Sequence, residues 1–483
     1  MRFVMRQTLA GSCRAARTTL ALTLAALAAW PVRAAVDDLP PREVLAEQRA
    51  PLAFVAPVGL AAIGGKLLFS AFHVLLGQEL WASDGTPAGT APVKDIRPGF
   101  QGSFPSGHAL LGDTLYFAAD DGESGVELWK SNGTADGTSR VADLRPGPQG
   151  STPGAMTAWG EWLVFVANDG VSGFQLWKTR GDAASTSRLT NIEPGARGGA
   201  PRQLTPVGAR LFFTATDSVA GHELWVTDGT PKGSRRVKDL RPGPEAARIE
   251  QLVAVGDTLY FSADDGLHGA ELWRSDGTEA GTRLVADLWP GADGARPSHL
   301  VVAGGLLYFA ANDGRSGIEL WRSDGTAAGT RQVLDIRPGP QNALPSYLTE
   351  MNGQVYFAAT DGLHGVELWS TDGTAEGTLL VKDILPGGEG ASPAQLVRRG
   401  DRLWFSAADG AAGSRAWSSD GTAQGTRIER HPAQPGGIAT HFTAWGAATA
   451  FVAGDGHGNQ RLWQRLADGS ITLVGTPLEQ RLR

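Results

Sequence analysis

Acids recur at two fixed places in this chain, and either place could do chemistry. Eight residues before a repeating tryptophan stands an aspartate: Asp121, Asp169, Asp217, Asp265, Asp313, Asp361, Asp409 and Asp455, with His73 in the first copy. A ring of carboxylates on one face of the molecule would be a candidate ligand or cation face, and Ca2+ is the ion that favours several oxygen ligands. The competing reading is an Asx-type hairpin turn, in which the aspartate accepts backbone N–H bonds and the glycine that usually follows supplies the positive φ. The spaced Asp-x-Asp-x-Asp-Gly loop and the glycine-rich calcium nonapeptide are both absent. The expectation is therefore no cofactor, with Ca2+ a weak alternative.

The second acid stands two residues before the tryptophan: Glu79, Glu127, Glu223, Glu271, Glu319 and Glu367. It lies on the tryptophan side of its strand, where a buried carboxylate needs a partner. Arg97, Arg145, Arg241 and Arg337 are the expected partners, although Glu271 and Glu367 persist where that slot holds Trp289 and Leu385. In the third copy both members change, to Gln175 and Glu193. Other chemistry has less to stand on. The Gly-rich segment Ser275–Thr282 has no following Lys-Ser/Thr and no helix, so it reads as a hairpin rather than a phosphate loop. The nine histidines are scattered, with only His268 and His364 sharing a repeat slot, and no serine sits in a strand-to-helix elbow. Two acids from different strands close enough for glycoside hydrolysis stay open as an alternative. No catalytic residue is assigned.

These residues ride on a repeat. Trp81, Trp129, Trp177, Trp225, Trp273, Trp321, Trp369 and Trp417 follow one another at 48 residues, and Trp463 comes after 46. Within the sixth copy, segments starting at Ser298, Leu306, Ile318 and Thr330 are short, rich in β-branched and aromatic residues, and bounded by Gly, Asp, Ser and Pro. That is the signature of four strands and their turns, and four antiparallel strands in such a length make a propeller blade. In the second strand Leu307 and Phe309 face one way and Tyr308 and Ala310 the other, so both faces need covering, as in a sheet sandwiched between neighbours. The fold expected is all-β, a single β-propeller of four-stranded antiparallel blades. Nine blades are expected and eight are the alternative, with the tryptophans as the blade core.

The core Glu-Leu-Trp-x-x-Asp-Gly-Thr-x-x-Gly-Thr, carried at residues 79–90, 271–282, 319–330 and 367–378 and nearly so at 127–138 and 223–234, resembles the bacterial ELWxxDGT repeat family. The copies at 175, 415 and 461 depart from it. The resemblance covers roughly residues 54 to 475 and implies an exported repeat protein; it carries no substrate or catalytic residue. Strand order also resembles that of WD-type blades, which would put the Asp121–Gly125 type of loop and the loops between blades on one face.

Residues 1–34 carry arginines, then the apolar run Leu20–Trp30, then Val32-Arg33-Ala34, and read as a secretory signal peptide. Residues 35–53 are an N-terminal segment in which Arg42–Pro51 resembles an outer strand that would close the ring; 54–475 form the propeller and 476–483 a tail. Without the first 34 residues the chain holds 38 basic and 50 acidic residues, a net charge of −12, which disfavours nucleic acid or an anionic membrane as partner. Its one cysteine, Cys13, lies in the leader. The functional expectation is an exported monomer, periplasmic or extracellular, without a transmembrane segment or an active site of its own, serving as a binding or scaffold surface for a protein or glycan. The alternatives are a carbohydrate-active hydrolase or lyase with acids at the central channel, and a structural envelope component. Specificity is expected in the least repeat-like stretches: Arg180–Ser187, Arg398–Arg402 and His431–His441.

Overall fold

The computed structural model describes residues 55–410, 413–429, 439–454 and 459–474. The chain divides into two units, residues 1–50 and 51–483, and every described residue belongs to the second. These residues form nine four-stranded antiparallel sheets and no helix. The first blade runs β1 (Val55–Ile63), β2 (Lys66–His73), β3 (Gly77–Ser83) and β4 (Ala91–Lys94), hydrogen-bonded in that order, and the other eight repeat it. Each inner strand touches the inner strand of the next blade, and Thr440–Trp445 of the ninth touches β1. Nine blades, not eight, therefore close the ring.

The two-sided apolarity of the second strand is what the ring consumes. Leu307, Tyr308, Phe309, Ala310 and Ala311 are all buried, and the same five places are buried in every other blade. Burial of one such large side chain is worth about 1.5–3 kcal/mol. The tryptophans pack backwards onto the preceding blade: Trp129 of the second blade lies in a core with Leu68 and Leu80 of the first, and Trp369 of the seventh with Leu320 and Val333 of the sixth. At the seam Trp81 is fully buried among Trp445, Val452 and Leu462 of the ninth blade. Trp445 Nε1 donates to Gly65 O at 2.9 Å, and Gln464 Nε2 to Gly85 O at 3.1 Å. The ninth sheet takes its own outer strand, Ile471–Leu473. The closing segment expected at Arg42–Pro51 lies outside the described residues.

The Asp-Gly-Thr signature is a side-chain-stapled turn between third and outer strands. Asp276 Oδ1 accepts from Thr278 N at 2.8 Å and Thr278 Oγ1 at 2.7 Å, while Thr278 Oγ1 accepts from Gly281 N at 3.0 Å. A Cβ at Gly281 would collide with the Asp276 carboxylate, so the second glycine of the motif is required there. Because the strands alternate, these turns share one end of the ring with the inner-to-second-strand turns. The second-to-third-strand loops and the crossovers between blades occupy the opposite end.

Candidate functional site

The recurring aspartates sit at the second-to-third-strand loops and are spent on those loops. Asp121 Oδ1 accepts from Glu123 N at 2.9 Å and Ser124 N at 2.7 Å, and Oδ2 faces Arg140 at 3.3 Å. Asp169 repeats this with Val171, Ser172 and Arg188, Asp217 with Val219, Ala220 and Arg236, and Asp313 with Arg315 and Ser316. In Asp265 and Asp361 the arginine is replaced by His268 and His364, whose Nδ1 atoms lie at 2.8 and 2.7 Å. Asp409 faces Arg415 at 3.3 Å, and Asp455 lies outside the described residues. Burial works against ionisation of Asp121, Asp169, Asp265, Asp313 and Asp361, but the amide donors outweigh it and hold each below the usual aspartate range. Among the described residues no group of three His, Cys, Asp or Glu side chains is placed to hold a metal ion.

The glutamates call for a correction. Their partners are not the arginine side chains but main-chain amides of the crossover to the next blade. Glu79 accepts from Ile96 N (3.3 Å), Arg97 N (3.2 Å), Ser103 N (2.8 Å) and Ser103 Oγ (2.6 Å). Glu271 accepts from Leu288 N (3.1 Å), Trp289 N (3.1 Å) and Ala295 N (2.8 Å), which explains its persistence without an arginine. Arg97 and Arg241 instead pair with Asp120 and Asp264 of the following blade. All six glutamates are fully buried, and burial pushes Glu79, Glu223 and Glu271 up to about 7 and Glu319 up to about 8 against the pull of the amides. In the third blade Gln175 fills the slot by donating to Ser172 O and Ile192 O while accepting from Thr190 Oγ1 and Ile192 N. These acids fasten blades together and face no cavity.

The repeat breaks at the axis. Every inner strand carries a bulge in which two residues oppose one on the second strand, as between Val58 and Ala61. Its first residue has positive φ in all nine blades: Gly59, Gly107, Ala155, Gln203, Gln251, His299, Tyr347, Gln395 and His441. From the fourth blade to the ninth this makes a collar of exposed polar side chains, and those of the fourth to seventh blades reach their neighbours. Gln203 Nε2 donates to Ile249 O at 3.2 Å, Gln251 Oε1 accepts from His299 N at 3.0 Å, and the rings of His299 and Tyr347 are 6.2 Å apart. His299 and His441 thus share a slot as well, masked in the sequence by the two-residue shortening before the ninth copy.

In the first two blades the collar is glycine, and a cavity of about 450 Å3 opens there, lined by Gln78, Phe104, Ser106 and His108 together with His441 from the ninth blade. His108 stands where other blades carry Leu, Met or Phe. Its Nδ1 would lie 3.1 Å from a Cβ on Gly59, so glycine makes room for the imidazole. Burial lowers the His108 pKa below the ordinary histidine value, and the neighbouring His441 lowers it further, which favours the neutral imidazole. No Asp or Glu lines this cavity. Sequence reasoning missed it, although aligning the inner strands by slot singles out His108. Of the stretches marked for specificity, Arg180 pairs with Glu161 and Arg398 bonds Glu350 at 2.7 Å, while residues 430–438 lie outside the described set.

No family model matches the chain, and no curated protein matches it in sequence. Among solved structures it resembles a puromycin hydrolase (15% identity, TM-score 0.39, covering 72% of this chain and 58% of that one). The propeller domain of the Trilobed protease from Pyrococcus furiosus is similar over 77% of this chain and 97% of that one (7% identity, TM-score 0.38). A GH74 enzyme of Niastella koreensis is similar over 89% and 67% (11% identity, TM-score 0.35). The chain thus spans about 58% of the length of the puromycin hydrolase. These likenesses transfer no activity, and the nine-bladed β-propeller is read from this chain's own sheets. Against the expectation of a chain without an active site of its own stands the finding that the puromycin hydrolase, a prolyl endopeptidase and the GH74 enzyme, which the chain resembles, are themselves enzymes.

Proposed function

We propose that this is an exported, carbohydrate-active propeller that grips a neutral polysaccharide in the axial cavity between its first, second and ninth blades. The observation that carries the reading is the pair His108 and His441, brought together from the two ends of the chain over the opening left by Gly59 and Gly107. The exposed ring of Phe104 offers a face to a pyranose, and Gln78, Ser106 and the histidines offer both donors and acceptors to its hydroxyls. The net charge of −12 outside the leader favours an uncharged chain over a polyanion. Glycoside hydrolysis by two carboxylates lacks its acids in this cavity, so turnover falls to the histidines. Neutral His108 takes a proton from a water as that water attacks the anomeric carbon, and the glycosidic C–O bond breaks with its oxygen taking up a proton from solvent, while His441 hydrogen-bonds the sugar, a form of general base catalysis.

Isothermal titration with cello-, malto-, manno- and chitohexaose, followed by chromatography of the incubated sugars, tests both halves. Binding and product formation, both lost in His108→Ala, are expected. Binding without product leaves a lectin-like propeller, and retention of binding in His108→Ala refutes the site.

A further inference from the structure

The end of the ring opposite the axial cavity carries hollows of its own, and their origin can be read blade by blade. The glycine of the turn between third and outer strands is covered in most blades by a second-strand side chain of the preceding blade. Tyr116 reaches Gly181, Tyr260 reaches Gly325, Tyr308 reaches Gly373, Tyr356 reaches Gly421 and Phe212 reaches Gly277. In the third and ninth blades that slot holds the short residues Val164 and Ala450. There a tryptophan from the end of the inner strand comes in: a Cβ on Gly229 would lie 3.3 Å from the Trp159 indole, and one on Gly85 2.9 Å from Gln464 Oε1 and 3.3 Å from Trp445. Cavities of about 470 and 390 Å3 remain beside Trp159 and Trp445.

The Trp159 cavity is furnished for a particular kind of guest. Trp162 is already occupied, with Lys178 and Arg180 each 4.1 Å from its ring centre, which leaves the half-buried Trp159 indole as the free aromatic face. Its Nε1 donates to Gly208 O at 3.4 Å, fixing the ring. Lys178 Nζ donates to Gly229 O at 3.0 Å and keeps two further protons to give. Asp228 spends one oxygen on Thr230 N and Oγ1, at 2.8 and 2.7 Å, and its other oxygen stands at the exposed rim. An ammonium and a carboxylate around one indole select no net charge. They suit a ring with a C–H face to stack and hydroxyls that both give and accept.

We infer that the Trp159 cavity between the third and fourth blades is a second saccharide-binding site, so that the ring holds one sugar chain at each end and bridges two chains. The saccharide class rests on the function proposed above, but the site rests on its own residues.

The test uses the same four hexasaccharides in titrations of the whole chain. The wild type is expected to show two sites per molecule and to raise the turbidity of a matching soluble polysaccharide. Trp159→Ala is expected to leave one site and abolish the turbidity. Because that variant could weaken the turn it covers, W159V/V164Y is the companion: it writes into the third blade the Val255 and Tyr260 pair of the fifth, filling the hollow with the repeat's own residues. It should melt like the wild type and lose at least tenfold in affinity at one site. Two sites surviving in W159V/V164Y overturn this inference and leave the axial proposal standing. Two sites surviving in His108→Ala, with one in W159V/V164Y, overturn the axial proposal alone. No binding of any hexasaccharide at millimolar concentration overturns both.

Discussion

Replacing Glu271 by alanine separates two forces that act on the same carboxyl. Three crossover amides point at it, from Leu288, Trp289 and Ala295, and no basic side chain does. Losing a buried hydrogen bond of this kind costs about 1 kcal/mol net, so the variant should lose about 3 kcal/mol at pH 5, where the carboxyl is protonated in the folded chain. Burial raises that carboxyl from 4.5 to about 7, and a raised pKa means stability that is full below the unfolded value and lost as pH climbs through the folded one. At about 1.36 kcal/mol per pH unit, the wild type forfeits about 2–3 kcal/mol from this residue between pH 5 and pH 8. The variant has no such loss. Its penalty should therefore shrink from about 3 kcal/mol at pH 5 to below about 1 kcal/mol at pH 8. Urea unfolding at the two pH values, with hydrogen exchange of residues 285–296, measures this. A penalty that grows between pH 5 and pH 8 would refute the reasoning, because the amides would then be holding the carboxylate ionised.

The wild type itself should melt higher at pH 5.5 than at pH 8, since Glu79, Glu223 and Glu319 share the shift; an unchanged melting temperature speaks against it. Trp81→Ala at the seam should cost about 3–5 kcal/mol and speed exchange in Ala448–Gly454 of the ninth blade as well as in β2, whereas protection of 448–454 left intact argues against closure. Asp313→Asn should change the melting temperature little with or without millimolar Ca2+, because its Oδ1 is committed to loop amides; a calcium-dependent rise only in the wild type would restore the cation ring.

The architecture was legible because its causes are periodic. The strand segments read from Ser298, Leu306, Ile318 and Thr330 match the four strands of the sixth blade, with the last beginning at Arg331. Two-sided apolarity at Leu307–Ala310 implied neighbours on both faces, and they are there. The partners of Glu79 and Glu271 were not legible, since a main-chain amide is a donor in every residue and leaves no mark in the sequence; the side chain of Arg97, 18 residues after Glu79, drew the inference away from its own N–H. The axial cavity was hidden for a different reason. It arises where the repeat is broken, by Gly59, Gly107 and His108, and from a register moved by two residues before the ninth copy, so that His441 fell out of line with His299. The Trp159 hollow likewise needed a neighbouring blade's turn placed beside Val164. Periodic features report the scaffold, and the departures from them mark what the scaffold presents.

The most direct test of the account rewrites the second blade's axial residues as the repeat writes them elsewhere. G107Q/H108L gives it the Gln-Leu pair of Gln203-Leu204 and Gln251-Leu252, which closes the cavity without foreign sequence. Titrated with the hexasaccharide that binds the wild type, this variant should keep its melting temperature and lose the axial site. Full binding by a folded G107Q/H108L ring would contradict the claim that the break in the repeat is where this protein works.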